Sequence, residues 1–350
     1  MNPVEVPVVI ERGCGGVWGR RAGRCNDQER YEQGEGLRNG REYRSGHRYC
    51  GAVASILFAH PLFLSKNADE QASSSPYFPL GLLYLAGYVR EQGHEVAIFD
   101  GTFQDDESAF AAALEQHQPD LVGISALLPT RDAALTLARM AAAQNVTVVL
   151  GGPDPTLSPA AYLAEATVDM VVHHEGEQTI TRLLDLVDGE QLTLDSIADE
   201  PGIAYRTDGL MKVNEPREPI ADLDTLPLPA RDLIDMDRYL QTWETDNGYS
   251  SMTISTSRGC PYGCDWCTDA VHGTDFRQRS PESVAAEMRH LKATYNIDRL
   301  RMVDDVDAIE RGWLDEWADA AQQADAVIPF EALNDLERQD IPLLDVRDSL

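Results

Sequence analysis

From Ser55 to His173, short apolar runs alternate with amphipathic stretches, and this alternation constrains the fold more than any other feature of the chain. The apolar runs are Ser55–His60, Glu95–Asp100, Leu121–Ser125, 147–150 and 170–173. Between them lie helical patterns over 79–92, Ser108–His117 and 131–144. Near-continuous apolar strands separated by crossover helices predict a parallel, doubly wound, flavodoxin-like sheet covered on both faces. Such sheets bind ligands outside the carboxyl ends of their strands, near the point where strand order reverses. Here those ends read Asp100-Gly101, Ser125-Ala126-Leu127 and Gly151-Gly152-Pro153-Asp154. A hydroxyl beside a glycine pair allows a bulky ligand close approach to the backbone. The plainer reading is a generic sheet whose glycines only make turns.

His173-His174-Glu175-Gly176-Glu177 follows the fifth run. Adjacent strand residues project to opposite sides, which argues against a joint histidine metal site. Glu175 is expected to satisfy loop amides, and Glu177 to open a helix running to Val187. A proline-rich segment, from Glu215-Pro216 to Leu228-Pro229, reads as a semi-rigid connector. The expected organisation is a doubly wound domain over 52–190, a linker region over 191–245 and a second unit over 246–350. Residues 1–51 are rich in arginine and glycine without apolar periodicity, and read as a disordered extension or a start-site artefact.

The second unit opens with the strand-like Ser251-Met252-Thr253-Ile254-Ser255-Thr256, then Ser257-Arg258-Gly259 and three cysteines, Cys260, Cys264 and Cys267. One reading adds His272 to make a structural Cys3His zinc site. The other assigns three thiolates to three irons of a four-iron cluster, which ordinarily takes four cysteines. The unmatched iron would then accept a small molecule. No second knuckle follows the cysteines, and a loop leaving a strand suits a cofactor at a barrel mouth, so the cluster is preferred. Beyond it come a helical pattern over 282–295, a strand over 298–303 ending at Asp304-Asp305, a helix over 313–322 and a strand over 326–331.

The C-x3-C-x2-C loop resembles that of the radical S-adenosylmethionine enzymes. The upstream sheet, with Ser125 and Leu127 in an S-x-L element and Gly151-Gly152 as its glycine pair, resembles the cobalamin-binding domain that precedes many of them. The resemblance implies a [4Fe-4S] cluster on Cys260, Cys264 and Cys267, with S-adenosylmethionine on the open iron as the source of a 5′-deoxyadenosyl radical. It implies cobalamin along Ser125, Leu127, Gly151 and Gly152, near Asp100. Trp266 is the expected neighbour of the adenine. Asp304 and Asp305 are expected near the S-adenosylmethionine amino group as charge-assisted acceptors, or as a cap for the following helix. The Glu175-Gly176-Glu177 turn also matches the family pattern.

Two elements depart from that pattern. The D-x-H-x-x-G element that brings a histidine to cobalt in mutase-type relatives is absent, the loop reading Asp100-Gly101-Thr102-Phe103-Gln104-Asp105. Val306-Asp307 stands where an aromatic often follows the acidic pair. The implied activity is methyl transfer to, or oxidative cyclisation of, a small-molecule substrate, fed by an electron donor such as flavodoxin or ferredoxin. The second unit supplies roughly half the strand–helix repeats of a full barrel. An incomplete barrel is therefore expected, from a fragment, a frameshift or a partner-completed chain. A non-catalytic cobalamin- or cluster-binding module is the alternative function.

Charge narrows the partners. The net charge is −30, and Lys66, Lys212 and Lys292 are the only lysines. Such a surface repels nucleic acid and anionic membranes. Adaptation to a salty cytoplasm and a simple solvated acidic face explain it equally well. No apolar run approaches the ~20 residues of a membrane span. Six cysteines in 350 residues do not make a disulfide framework, so a reducing, cytoplasmic setting is expected.

Overall fold

The computed structural model describes residues 53–66, 75–262, 264, 267, 271–306 and 311–331. The reading of residues 1–51 and the assignment of Trp266 fall outside these. The first unit runs β1 (Ser55–His60), α1 (Leu80–Glu91), β2 (Glu95–Asp100), α2 (Ser108–His117), β3 (Leu121–Ser125), α3 (Arg131–Ala143) and β4 (Thr147–Gly151). Two short helices follow, α4 (Pro153–Leu157) and α5 (Pro159–Leu163), then β5 (Met170–Val172) and α6 (Glu177–Asp188). The sheet order is β2-β1-β3-β4-β5, all parallel, so strand order reverses between β1 and β3.

The region expected as a linker is more structured than a connector. β6 (Ile203–Thr207) and β7 (Leu210–Val213) extend the same sheet as antiparallel strands. They turn at Asp208-Gly209, both residues at positive φ, the backbone a tight two-residue hairpin requires. α7 (Met236–Asn247) follows the proline-rich segment, with Asp235 accepting from the Arg238 amide at its N-terminus.

The second unit contains β8 (Ser251–Ile254), a two-residue ribbon of β9 (Ser257–Arg258) and β10 (Arg277–Gln278), α8 (Pro281–Thr294), β11 (Arg299–Met302), α9 (Arg311–Gln323) and β12 (Phe330–Glu331). β12, β11 and β8 form a parallel sheet, joined by helices as barrel repeats are.

α1 explains how the two units meet. It is apolar around most of its circumference, the pattern of a helix buried on several sides. Leu82, Ala86 and Val89 pack on the first sheet, while Leu80, Leu83 and Tyr84 join the core of the second unit with Met252, Met288 and Leu300. The proline-rich segment is laid directly on this helix. The Ala230 amide donates to the Leu83 carbonyl at 3.0 Å. A Cβ at Gly87 would stand 2.6 Å from the Leu228 carbonyl oxygen, so only glycine allows this approach.

Candidate cofactor site

A cavity of about 600 Å³ lies at the carboxyl ends of β1, β3, β4 and β5, where strand order reverses. Ser125, Leu127, Gly151 and Gly152 line it. From the second unit come Ser255, Arg258, Val271, His272, Val303 and Asp305. The cavity therefore lies between the two units.

The glycine wall is fixed from behind. Gly152 has φ of 99°, and a Cβ there would meet the Ala126 carbonyl at 3.0 Å and Ser125 Oγ at 3.2 Å. The Ala126 amide donates to the Gly151 carbonyl, and the Asp154 amide to the Ala126 carbonyl. Asp154 is buried and takes two hydrogen bonds from Arg131, at 2.7 and 2.6 Å, and one from the Tyr162 hydroxyl. The Arg131 hydrogen bonds hold the Asp154 carboxyl below its ordinary range. Thr156 links the wall to the next strand end, its hydroxyl donating to the Gly152 carbonyl and accepting from the His174 amide.

Two expected contacts lie elsewhere. Asp100 is absent from the cavity lining: its carboxylate accepts from the Thr102 amide and from the Tyr239 hydroxyl of α7. One oxygen caps its own loop at Thr102 and the other ties that loop to α7, so both are engaged away from the cavity. Asp304 is buried beneath the chain that leads to the cysteines. It accepts from the Thr256 amide at 2.7 Å, the Ser257 amide at 3.0 Å and the hydroxyls of Ser255 and Thr256. Burial raises the Asp304 carboxyl above its ordinary value despite these hydrogen bonds. The acidic pair is thus divided, with Asp304 serving the loop and Asp305 facing the cavity.

The feature that sequence reasoning missed is a charge cluster between the units. Arg258 and Arg277 are direct cross-strand partners on the β9–β10 ribbon, a pairing of like charges that is unfavourable by itself. Glu175 of the first unit offsets it, its Oε1 lying 3.5 Å from Arg258, 2.8 Å from Arg277 and 3.3 Å from His272 Nδ1. Its Oε2 accepts from the Ile220 amide at 2.8 Å. Burial alone would raise the Glu175 carboxyl. The His272 hydrogen bond, the Arg258 charge, the Ile220 amide and the Arg277 charge outweigh it and bring the pKa to about 2. Glu177 adds a 2.7 Å bond to Arg258. Glu175 does satisfy a loop amide and Glu177 does start α6, but both carboxylates also reach into the other unit. The only sequence signal was the pairing of acidic and basic motifs some eighty residues apart.

The cysteine loop leaves β9 one residue after Arg258. Cys260 is buried and its amide donates to the Gly273 carbonyl, while Cys264 and Cys267 are exposed. Among the described residues, no three His, Cys, Asp or Glu side chains converge on one metal-sized point. His272, the fourth ligand of the zinc reading, faces Glu175 at the unit boundary. The residues on either side of the loop, Arg258 and His272, line the cavity. A thiol set carried between them suits a cluster at its edge, and the Gly151-Gly152 wall suits a bulky flat ligand on its floor.

Residues 72–184 match the family described as the B12 binding domain. Over 233 residues the chain is 36% identical to an uncharacterized methyltransferase of Pyrococcus horikoshii, covering 65% of this chain and 48% of that protein. It is 29% identical over 267 residues to the anaerobic magnesium-protoporphyrin IX monomethyl ester cyclase of Rubrivivax gelatinosus, covering 73% and 46%. The fold is similar to the cobalamin-dependent S-adenosylmethionine radical enzyme OxsB, with a TM-score of 0.67 at 19% identity over 79% of this chain and 38% of that one. It is also similar to the radical S-adenosylmethionine methyltransferase TsrM of Kitasatospora setae, with a TM-score of 0.61 at 18% identity over 79% and 52%. The chain spans about half the length of the curated relatives it matches.

The fold and site define a cobalamin-binding sheet joined to a three-cysteine strand–helix unit. Residues 72–184 belong to the B12 binding domain family, and the chain is similar in fold to cobalamin-dependent radical S-adenosylmethionine enzymes. No helix among the described residues is long and apolar enough to cross a membrane.

Proposed function

We propose that this chain is the cofactor-holding part of a cobalamin-dependent radical S-adenosylmethionine enzyme that modifies an unactivated carbon of a small molecule, by methyl transfer or oxidative cyclisation. The observation that carries this reading is one cavity bounded by the Gly151-Gly152 wall on one side and the flanks of the cysteine loop on the other. When bound, the cluster, S-adenosylmethionine and cobalamin supply one-electron reduction, hydrogen abstraction and methyl or redox chemistry.

The chain's own residues bind and orient. Cys260, Cys264 and Cys267 would hold three irons and leave the fourth for S-adenosylmethionine. Ser125, Leu127, Gly151 and Gly152 would seat cobalamin. Asp305, whose partner Asp304 is committed to the loop, would accept from the S-adenosylmethionine ammonium. Arg258 and Glu177 close the boundary between the units and exclude water from it. The reaction needs a low-potential electron donor, of the flavodoxin or ferredoxin class, and a reducing cytoplasmic setting.

The test is anaerobic reconstitution with iron and sulfide, followed by hydroxocobalamin and S-adenosylmethionine under reducing conditions. The expected results are visible cluster absorbance that is lost in Cys264→Ala, retained cobalamin, and 5′-deoxyadenosine. Cofactor retention without 5′-deoxyadenosine would identify a non-catalytic module. One zinc and no iron would sink the cluster assignment.

A further inference from the structure

Six non-glycine residues have positive φ among the described residues. Gln118, Asn145, Glu190 and Asp325 stand just past the ends of α2, α3, α6 and α9, and Asp208 is in the β6–β7 turn. These are positions where left-handed backbone closes a helix or a hairpin. His174, at φ 61°, is the exception. It is separated from strand β5 by one residue and from α6 by two, and is the one member of the six that lines the cavity.

An L-residue with a full side chain is strained in this region, and such strain persists where the surroundings impose it, commonly at ligand sites. Here the surroundings are the cofactor wall itself. The His174 amide donates to Thr156 Oγ1 at 3.2 Å, and the same hydroxyl donates to the Gly152 carbonyl at 2.8 Å. The Gly152 and His174 backbones are therefore held by one side chain, and a ligand seated against Gly152 comes within reach of residue 174. The His174 ring stands edge-on to that of buried His173, their centroids 5.2 Å apart, which orients it. An imidazole offers one donor and one acceptor to a ligand rich in amides and carrying a phosphate. Glycine would satisfy the backbone without strain, so the side chain requires a separate explanation.

We propose that His174 is a cobalamin-binding residue, hydrogen-bonding through its imidazole to the cofactor seated on the Gly151-Gly152 wall. This rests on the cobalamin reading above. The discriminating variant is His174→Gly, because the strain argument and the binding argument move it in opposite directions. Its melting temperature should equal or exceed that of the parent chain. Its affinity for hydroxocobalamin, measured by equilibrium ultrafiltration and visible titration, should fall about threefold to tenfold, the loss of one hydrogen bond. His174→Asn, which tolerates the left-handed region and keeps a donor and an acceptor, should bind within about twofold of the parent. His174→Gly binding as tightly as the parent overturns the proposal. So does a fall in affinity that tracks a fall in melting temperature in both variants. A parent chain that does not bind hydroxocobalamin refutes the cobalamin reading instead, before any variant is compared.

Discussion

Replacing Glu175 by glutamine tests the charge cluster between the units. The amide keeps the shape and the acceptor for the Ile220 amide, but leaves Arg258 and Arg277 facing each other across the ribbon with Glu177 as the remaining counter-charge. The Glu175 side chain is only 8% exposed, so solvent screens little of the effect. Its pKa falls from 4.5 to about 2, which corresponds to about 3 kcal/mol of stability at pH 7. That matches the loss of about 3–5 kcal/mol for removing one partner of a buried pair. The sign follows from the direction of the shift. A depressed carboxyl contributes fully above its unfolded value near 4.5, and the contribution is lost as pH falls toward 2. Urea unfolding of the parent chain and Glu175→Gln should therefore differ by about 3 kcal/mol at pH 7 and by about 1 kcal/mol near pH 3. Thermal melts at pH 7 should differ by about 6–12 °C. A gap that stays constant over this pH range, or one below about 1 kcal/mol at pH 7, would refute the reasoning.

Two further substitutions probe the walls of the cavity. Gly152→Ala places a Cβ 3.0 Å from the Ala126 carbonyl at a φ of 99°. It should cost about 1–3 kcal/mol in a urea titration and weaken hydroxocobalamin retention more than tenfold. Asp304→Ala strands the amides of Thr256 and Ser257 and the hydroxyls of Ser255 and Thr256. A loss of about 2–4 kcal/mol is expected, with reduced iron content after reconstitution, whereas Asp304→Asn should recover part of both.

Local patterns carried the parallel sheet. Each strand from β1 to β5 is a short apolar run with a loop signal at its end, so periodicity alone placed it, and the cavity then followed from strand order. Asp208-Gly209 was an equally local hairpin signal, but it lay in a stretch already read as linker because prolines dominate its far end. The divided acidic pair could not be read in the same way. Asp304 and Asp305 are chemically equivalent in sequence, and only the backbone of residues 255–257, some fifty positions earlier, determines which one turns inward. The position of Asp100 outside the cavity lining was hidden for the same reason, since its partner Tyr239 comes from a helix far along the chain. The pairing of Glu175 with Arg258 and Arg277 likewise depends on how two separate units dock, which no window of sequence contains.

The missing side chain at Gly87 has a consequence for any exchange of parts between such chains. In a free-standing cobalamin-binding domain, the outer surface of that helix would face water and position 87 could drift. Here the Leu228 carbonyl occupies the space a methyl group would need. A chimera that kept this connecting segment but carried a larger residue at 87 would have to move one or the other, so residue 87 and the segment around Leu228 must be exchanged together.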